Sequence, residues 1–577
     1  MKRDPITTTY DKPPAFVADC SRAPDSRESL DRAAHAALAR LSGGLSPAAL
    51  CLAVFDWAQH FALAPGKWIE LTAQLAQDNT TAPVPVSGDP RFAAASWNDW
   101  PYCVWRDGFL RLQQWCESAT TGVRGVERHH EDVVRFGLRQ MLDALSPSNF
   151  VLTNPAVIEE TLRTGGANFV AGRQHWIEDL TAMLARAPGK RQPGAQAFMP
   201  GCDVAITPGK VVYRNDLCEL IQYSPSTDTV AREPVFIVPS WIIKYYILDL
   251  SPHDSLVRYL VSEGFTVFMI SWRNPGPEDR DLALNDYLSR GVLDALAEVR
   301  KRCDATPVHA VGYCLGGTLL SIAAAMLARD ARADELRSVT LLAAQTDFTE
   351  PGELGLFIDA SELATLDALM WEQGFLDGSQ MAAAFQLLNA RDLIWSRLMS
   401  EYLLGRRSKP NDLMAWNADT TRMPYRMHSE YLTQLFLRND LAEGRYCVDG
   451  RPVALSDIEQ PMFVVGTERD HVSPWRSVYK LHLLTHNPLT FLLTAGGHNA
   501  GIVSEPGHAG RHYRCGTRSA GASYRSRHAF FNETEPTEGS WWPRWSQWLH
   551  EHSDVPVPGR VLDDALPDAP GTYVRQS

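Results

Sequence analysis

Short apolar runs recur from residue 235 onward and alternate with stretches of helical length. Each run lacks the alternation of polar and apolar positions that marks a half-exposed strand, which is typical of strands buried on both faces. Because helical stretches separate most of the runs, the pattern predicts a doubly wound, mainly parallel α/β sheet. The runs are residues 235–238, 266–271, 308–312, 338–344, 462–465 and 490–493.

The segments around this sheet define the expected domains. Helical periodicity predicts a mostly helical N-terminal domain at 28–200, followed by a catalytic domain at 201–550. Within the latter, an insertion at about 349–456 is too long for a simple connection, so we expect a helical cap over the sheet's carboxyl edge. Enlargement of the core and an oligomer contact are the alternatives for this insertion. Residues 1–27 and 551–577 are expected to be tails.

Composition narrows the classes of function. The net charge of -13 disfavours a broad nucleic-acid-binding surface. Cysteines are scattered without C-x-x-C spacing and no apolar leader precedes them, which favours a reducing cytoplasm and predicts no metal site. Even the apolar stretch 48–63 is interrupted by Asp56, Gln59 and His60, so we expect no transmembrane segment.

The main chemical signal is the stretch V-H-A-V-G-Y-C-L-G-G at 308–317. An apolar run ends in glycines and a small-residue helical run follows, which predicts a strand, a sharp turn and a helix. Such an elbow exposes its central side chain at the top of a sheet, and here that residue is Cys314. A thiol ionises more readily than a hydroxyl and forms a thioester on acylation, so the acyl group stays activated for transfer. A buried structural cysteine on a glycine-rich turn is the competing interpretation.

Two later loops offer partners for this nucleophile. Asp470 follows one predicted strand in G-T-E-R-D-H-V-S-P-W, and His498 follows the next in T-A-G-G-H-N-A-G. The order Cys314, Asp470, His498 is that of α/β-hydrolase triads. His498 would deprotonate Cys314, while Asp470 would fix the tautomer of the imidazole and stabilise the imidazolium.

Each partner also has an alternative interpretation. Asp470 could cap a helix that starts near Pro474, and Glu468 or His471 could be the functional group instead. His498 could be an ordinary loop histidine. The occurrence of all three triad residues at strand ends, in order, favours the triad.

A tetrahedral intermediate needs an oxyanion hole. The residue after the nucleophile, Leu315, supplies one backbone N–H in such an elbow. We expect the second from the loop after 235–238, at Ile242 beside Trp241.

Further stretches share their pattern with one known family. Together with G-Y-C-L-G-G they resemble the single-subunit polyhydroxyalkanoate synthases, an α/β-hydrolase family, over residues 85–550. These stretches are W-I-I-K-Y-Y-I-L-D-L at 241–250, S-L-V-R-Y-L-V-S-E-G-F-T-V-F-M-I-S-W-R-N-P at 255–275, G-T-E-R-D-H-V-S-P-W at 466–475, G-G-H-N-A-G at 496–501, G-S-W-W-P-R-W at 539–545, and D-P-R-F in the N-terminal half.

The resemblance implies an α/β-hydrolase fold and an acyltransferase activity. Such an enzyme loads the acyl group of (R)-3-hydroxyacyl-CoA on Cys314 as a thioester, releases CoA and extends a polyester chain. It needs no cofactor, because the CoA thioester is its substrate. We expect a homodimer in the cytoplasm, associated with the surface of polyester granules.

Some features depart from the family pattern and leave other functions open. Ile243 stands where asparagine is expected before Lys244, and Gly276 where an acidic residue is expected after R-N-P, which bears on monomer preference. The arginines of segment 507–538 could contact CoA phosphates, although a solvated surface excursion is favoured. The alternative functions are a hydrolase with the same triad, either a thioesterase or a depolymerase, and a non-catalytic granule-binding scaffold.

Overall fold

The computed structural model describes most of the chain. The expected tail at 1–27 lies almost entirely outside the described residues. The described ranges are 26–78, 89–184, 198–388, 390–407, 409–560, 562 and 566–577.

Ten strands, β1 to β10 in chain order, form one sheet at the centre of the molecule. Their order across the sheet is β1-β2-β4-β3-β5-β6-β7-β8-β9-β10. Strands β3 to β8 are parallel, whereas β1, β2, β9 and β10 pair antiparallel at the two edges. The strands are β1 Gly209–Arg214, β2 Cys218–Tyr223, β3 Val235–Val238, β4 Val267–Trp272, β5 Val308–Tyr313, β6 Leu336–Leu342, β7 Met462–Thr467, β8 Leu489–Thr494, β9 His512–Arg518 and β10 Thr537–Glu538.

The predicted apolar runs form the parallel strands, which confirms the predicted α/β-hydrolase fold. Every residue of β3, β4, β5, β7 and β8 is buried. Alternate residues of β3 enter two separate cores, with Phe236 and Val238 on one face of the sheet and Val235 and Ile237 on the other. Such strands need a helical layer on each face, and this is why their sequences contain no polar alternation.

Strand β9, which lies next to the short edge strand β10, was not predicted from the sequence. It pairs antiparallel with β8 over residues 512–518, within the segment expected to be a surface excursion. Most of its side chains are only half-buried. Strand β10 pairs only with His512 and Tyr513, so the rest of β9 has no described strand on that side, and its arginines and polar residues leave no apolar run to mark it.

Helices cover the two faces of the sheet and build the N-terminal domain. The sheet-covering helices α8, α9, α10, α15 and α16 follow strands along the chain, whereas α1 to α7 precede the sheet entirely. The described α-helices of six residues or more are α1 Ser26–Leu41, α2 Pro47–Ala62, α3 Pro65–Asp78, α4 Tyr102–Thr120, α5 Arg128–Ala144, α6 Pro155–Thr164, α7 Ala167–Leu184, α8 Leu256–Ser262, α9 Asp294–Arg302, α10 Leu315–Arg329, α11 Ala360–Gln373, α12 Gly378–Leu388, α13 Asp412–Ala418, α14 Tyr425–Glu430, α15 Arg527–Glu533 and α16 Trp542–Glu551.

The insertion between β6 and β7 is helical and contacts the N-terminal domain. It contains α11 to α14 and π-helical turns at Arg391–Trp395, Leu398–Leu403 and Tyr431–Leu437. The backbone N–H of Ser46 donates to the carboxylate of Glu362 at 2.8 Å. Asp143 of α5 accepts from Arg91 at 2.9 Å and from Arg391 of the insertion at 2.8 Å. Polar contacts between buried groups therefore join the two regions.

No single described helix combines the length and the apolar character needed to cross a membrane. Residues 47–62 and 65–76 meet that requirement only as a pair, and the two helices are bent by 83° relative to each other.

Candidate active site

Cys314 lies at a strained turn between β5 and α10. Its φ of 53° and ψ of -124° fall where non-glycine residues are rare. Backbone hydrogen bonds hold this conformation, since the Cys314 N–H donates to Leu342 O at 2.9 Å and the Cys314 carbonyl accepts from Gly317 N at 2.9 Å. The sulfur consequently stands at the N-terminal end of a 15-residue helix, where backbone N–H groups favour a negative charge.

The glycines after Cys314 allow the helix to pack directly on the neighbouring strand. A Cβ atom on Gly316 would lie 2.2 Å from the carbonyl oxygen of Val238, at the end of β3. A Cβ on Gly317 would lie 2.4 Å from the Cβ of Ala344. These distances are too short for any side chain, so the elbow requires glycine at both positions.

Asp470 lies in the loop after β7 and its side chain is fully buried. One carboxylate oxygen accepts from the N–H groups of Val472 and Ser473 at 2.8 and 2.7 Å. The other accepts from Thr467 Oγ1 at 2.9 Å and lies 2.8 Å from Nδ1 of His498. The carboxylate thus both shapes its own loop and orients the imidazole.

His498 lies in the loop after β8, between Asp470 and Cys314. Burial alone would lower the pKa of His498, but the Asp470 carboxylate, 2.8 Å from Nδ1, and the neighbouring Cys314 sulfur raise it well above its usual value. The structure therefore brings the three predicted triad residues together. The imidazole of His498 can accept a proton from a thiol and return it to a leaving group.

The alternative residues near Asp470 lie elsewhere. Glu468 faces the ring of His512, with its carboxylate oxygens 3.2 and 3.3 Å from Nε2. His471 is exposed to solvent. Asp470 does form a local turn, yet it also contacts His498, so the capping interpretation and the triad interpretation are compatible.

The loop after β3 contains the predicted oxyanion donor Ile242. Its N–H makes a long, 3.4 Å hydrogen bond to Ser240 Oγ. The carbonyls of Trp241 and Ile242 accept from Thr421 of the insertion, through Oγ1 at 2.5 Å and N at 3.0 Å. Leu315 is the first residue of α10, so its N–H belongs to the unpaired first turn of that helix. The insertion therefore helps to fix the loop that contains the predicted second donor.

Tyr431 of the insertion is buried near Cys314, in an apolar cluster against which Cys314 packs, and was not identified from the sequence. Burial raises its pKa well above the usual range, and the nearby Cys314 sulfur adds to this effect. Its ring packs against Trp241, Phe348 and Phe436. No sequence signal marks this residue, because a helical pattern does not say which face of an insertion covers the sheet.

Two tryptophans of the G-S-W-W-P-R-W stretch hold the histidine loop. Trp541 Nε1 donates to Gly501 O and Trp542 Nε1 donates to Ile502 O, both at 3.0 Å. Tyr313 adds a bond from its hydroxyl to Asn499 Oδ1 at 2.6 Å. The sequence pattern assigns no role to this stretch, whereas in the structure it fixes the loop of His498.

The arginines of segment 507–538 mostly contact the protein itself. Arg527 pairs with Glu350 at 2.8 Å, Arg525 pairs with Glu533 at 2.9 Å, and Arg514 stacks over Phe531. Arg518 donates to the carbonyls of Thr485 and Asn487. These contacts stabilise the edge of the sheet. Within the described ranges, no group of three or more His, Cys, Asp or Glu side chains could hold a metal ion.

Three family profiles match the chain. One, described as Poly-beta-hydroxybutyrate polymerase (PhaC) N-terminus, matches residues 88–260. A second, described as Poly-beta-hydroxybutyrate polymerase N terminal, matches residues 25–67. A third, described as alpha/beta hydrolase fold, matches residues 235–505, which agrees with the sheet order.

The chain is also similar to characterised proteins over most of its length. Poly(3-hydroxyalkanoate) polymerase of Methylorubrum extorquens is 40% identical over 86% of this chain and 83% of its own. Poly(3-hydroxyalkanoate) polymerase subunit PhaC of Rhizobium meliloti is 37% identical over 88% of this chain and 83% of its own. The protein of the same name from Cupriavidus necator is 36% identical over 77% of this chain and 75% of its own.

Proposed function

The chain belongs to the poly(3-hydroxyalkanoate) polymerase family, an acyltransferase-type family, and from this premise we propose that it polymerises (R)-3-hydroxyacyl-CoA with release of CoA. The proposal rests on the Cys314 elbow, which lies beside His498 and Asp470. The Nδ1 atom of His498 is 2.8 Å from Oδ2 of Asp470. A thiol nucleophile suits polymerisation, because its acyl intermediate is a thioester that an alcohol can still attack.

The first step is acylation of Cys314. His498 takes the thiol proton, and the sulfur attacks the thioester carbonyl of the acyl-CoA. The backbone N–H groups of Leu315 and Ile242 stabilise the oxyanion of the tetrahedral intermediate. Collapse of this intermediate breaks the bond to CoA sulfur, and His498 returns the proton to the departing CoA thiolate.

The second step is transfer to a hydroxyl group. His498 removes the proton from the hydroxyl of the next unit or of the chain end, and the oxygen attacks the acyl-Cys314 carbonyl. The new ester bond forms as the carbon–sulfur bond breaks, and Cys314 regains the proton. The buried aromatic cluster around Tyr431, against which Cys314 packs, supports this route over hydrolysis, because apolar surroundings disfavour water as the acceptor.

Purified protein incubated with (R)-3-hydroxybutyryl-CoA tests the proposal. We expect free thiol together with insoluble polyester. Cys314→Ala should abolish both products, whereas Cys51→Ala, at an exposed cysteine of α2, should change neither. Release of thiol with only free hydroxy acid would contradict a polymerase activity and indicate a thioesterase. Absence of thiol release with this substrate and with longer-chain acyl-CoA would overturn the proposal.

The expected quaternary state and location are part of the same proposal. We propose a homodimer that works in the cytoplasm at the surface of its growing polyester granule. Exposed apolar side chains on the N-terminal helices, such as Leu52, Phe55 and Ile69, support contact with an apolar surface. Light scattering of the purified protein tests the dimer, and sedimentation with polyester granules, against the same protein without granules, tests the location.

A further inference from the structure

Residues 566–577, part of the segment expected to be a tail, lie along the edge of the sheet, and we name them the strap. The strap first runs antiparallel beside β1, where Lys210 and Asp568 form an isolated β-bridge. Val211 N donates to Pro567 O at 2.9 Å, and Ala569 N donates to Gly209 O at 2.9 Å. Paired backbone groups of this kind hold a segment in one register.

The strap is then anchored on the buried carboxylate of Glu219 in β2. Glu219 is fully buried and accepts from the N–H groups of Thr572 and Tyr573 at 2.9 and 3.0 Å, and from Thr572 Oγ1 at 2.8 Å. Gly571 passes so close that a Cβ on it would lie 2.3 Å from a Glu219 oxygen. Because a buried carboxylate needs its donors, this anchor makes detachment of the strap costly.

The tip of the strap reaches the loop that contains Ile242. The side-chain nitrogen of Lys244, a residue only 4% exposed, donates to Gln576 O at 2.6 Å. Asn274, in the loop after β4, donates its N–H to Gln576 Oε1 at 3.2 Å and accepts from Arg422 N of the insertion at 2.9 Å. The tip thus meets the loop after β3, the loop after β4 and the insertion at one point.

We propose that the strap is a positioning element for the oxyanion loop, acting through Lys244 and Gln576. This inference rests on the proposed function. Thr421 holds the loop at the carbonyls of Trp241 and Ile242, and the strap holds it from Lys244, so the Ile242 N–H is fixed before the substrate arrives. Oxyanion donors act through such preorganisation, and a loop free on one side would spend less time in the productive position.

The test separates reactions that need an oxyanion hole from one that does not. Acylation of Cys314 by p-nitrophenyl butyrate or by 3-hydroxybutyryl-CoA passes through an oxyanion, whereas alkylation by iodoacetamide does not. Lys244→Met removes the donor but keeps an unbranched stem of similar length. We expect acylation to slow roughly 10- to 100-fold, with KM within about twofold and alkylation unchanged within about twofold.

Three further variants complete the experiment. Lys301→Met, at an exposed lysine of α9, should behave as the unaltered protein. Lys244→Arg retains a donor and should recover most of the acylation rate. A chain shortened after Arg575 lacks the Gln576 acceptor and should reproduce Lys244→Met, with thermal unfolding used to verify that it folds.

Two results would overturn the inference. Equal acylation rates for Lys244→Met and the unaltered protein would show that the strap does not position the loop. Equal losses of acylation and alkylation would show a general structural role. If the unaltered protein is alkylated at Cys314 but acylated by neither substrate, the proposed function itself fails, and this inference fails with it.

Discussion

Strands β5, β7 and β8 bury every side chain they carry, whereas α2, which is also rich in apolar residues, buries only Ala53. In α2, Leu52 is 58% and Phe55 is 60% exposed. A strand covered on both faces has one position in the molecule, so the loop at its end is fixed as well. An apolar helix with an open face depends on contacts that other elements or other molecules provide. This difference accounts for the position of the three predicted triad residues at strand ends, and it predicts that the N-terminal domain is the more adaptable region.

Asp470→Asn tests the fixed region where the largest effect is expected. The amide nitrogen would face Nδ1 of His498 as a donor and favour the tautomer that cannot take the thiol proton. By analogy with serine triads, acylation of Cys314 should slow by roughly 10³- to 10⁴-fold. Single-turnover thiol release measures the rate, and Glu468→Gln, at the neighbouring carboxylate that faces His512, should leave it within about twofold. Similar losses of the acylation rate in both variants would contradict a specific role for Asp470.

The same substitution has a consequence for stability against pH. A raised folded-state pKa of His498 means that the contact with Asp470 stabilises the fold below the unfolded histidine pKa of about 6.5. This contribution is lost as the pH rises through the folded-state pKa. Urea unfolding should therefore show a larger stability difference between the unaltered protein and Asp470→Asn at pH 6 than at pH 10. A difference that grows with pH would contradict the assignment.

Two glycine substitutions with similar clashes test whether the backbone can shift, one at the central sheet and one in the N-terminal domain. Gly316→Ala brings a Cβ within 2.2 Å of Val238 O at the sheet, and Gly172→Ala brings one within 1.9 Å of Tyr402 O at the contact of α7 with the insertion. The sheet cannot shift, so Gly316→Ala should cost roughly 3 kcal/mol or more, whereas α7 can move and should lose about 1–2 kcal/mol. Thermal unfolding compares them, and equal losses would contradict the difference in adaptability.

The same contrast explains what the sequence could predict. Runs such as 462–465 and 490–493 identify buried parallel strands. The polar residues Asp470 and His498 follow these strands, so their place at the sheet's carboxyl edge could be predicted as well. Tyr431 could not be identified, because its role depends on how an insertion folds over that edge. The strap could not be identified either, since its contacts with Glu219 and Lys244 are long-range pairings of backbone with single side chains.

A substitution of Glu362 tests the contact between the insertion and the N-terminal domain. Its expected effect on stability is intermediate. Burial raises the pKa of Glu362 to about 7, although the Ser46 N–H favours its charged form. A carboxyl group with a raised pKa stabilises the fold at low pH and loses this contribution as the pH rises from about 4.5 through about 7. Glu362→Gln keeps an acceptor for Ser46 without the charge, so it should be more stable than the unaltered protein at pH 8.

The expected gain for Glu362→Gln at pH 8 is roughly 1 kcal/mol, since partial access to water screens the charge. Urea unfolding at pH 5 and pH 8 measures it, and the difference between the two proteins should shrink at pH 5. Glu459→Gln, at an exposed glutamate, serves as the control and should not differ between the two pH values. A destabilised Glu362→Gln at pH 8 would mean that the carboxylate is needed in its charged form.

The smallest effect is expected in the open region, at Gly137 in the middle of α5. A Cβ there meets nothing within 4 Å, and the residue is helical, so alanine can occupy the site without a clash. Glycine loses more backbone freedom on folding than alanine does, and Gly137→Ala should therefore stabilise the protein by about 0.5–1 kcal/mol. Gly166→Ala, also free of neighbours but at a φ of +87°, should instead cost about 1 kcal/mol, because a side chain is strained in the left-handed region. Both positions have room for a Cβ atom, so a difference in thermal unfolding between the two variants measures the effect of the backbone conformation. A loss of stability in Gly137→Ala would mean that this face of α5 packs against something in solution.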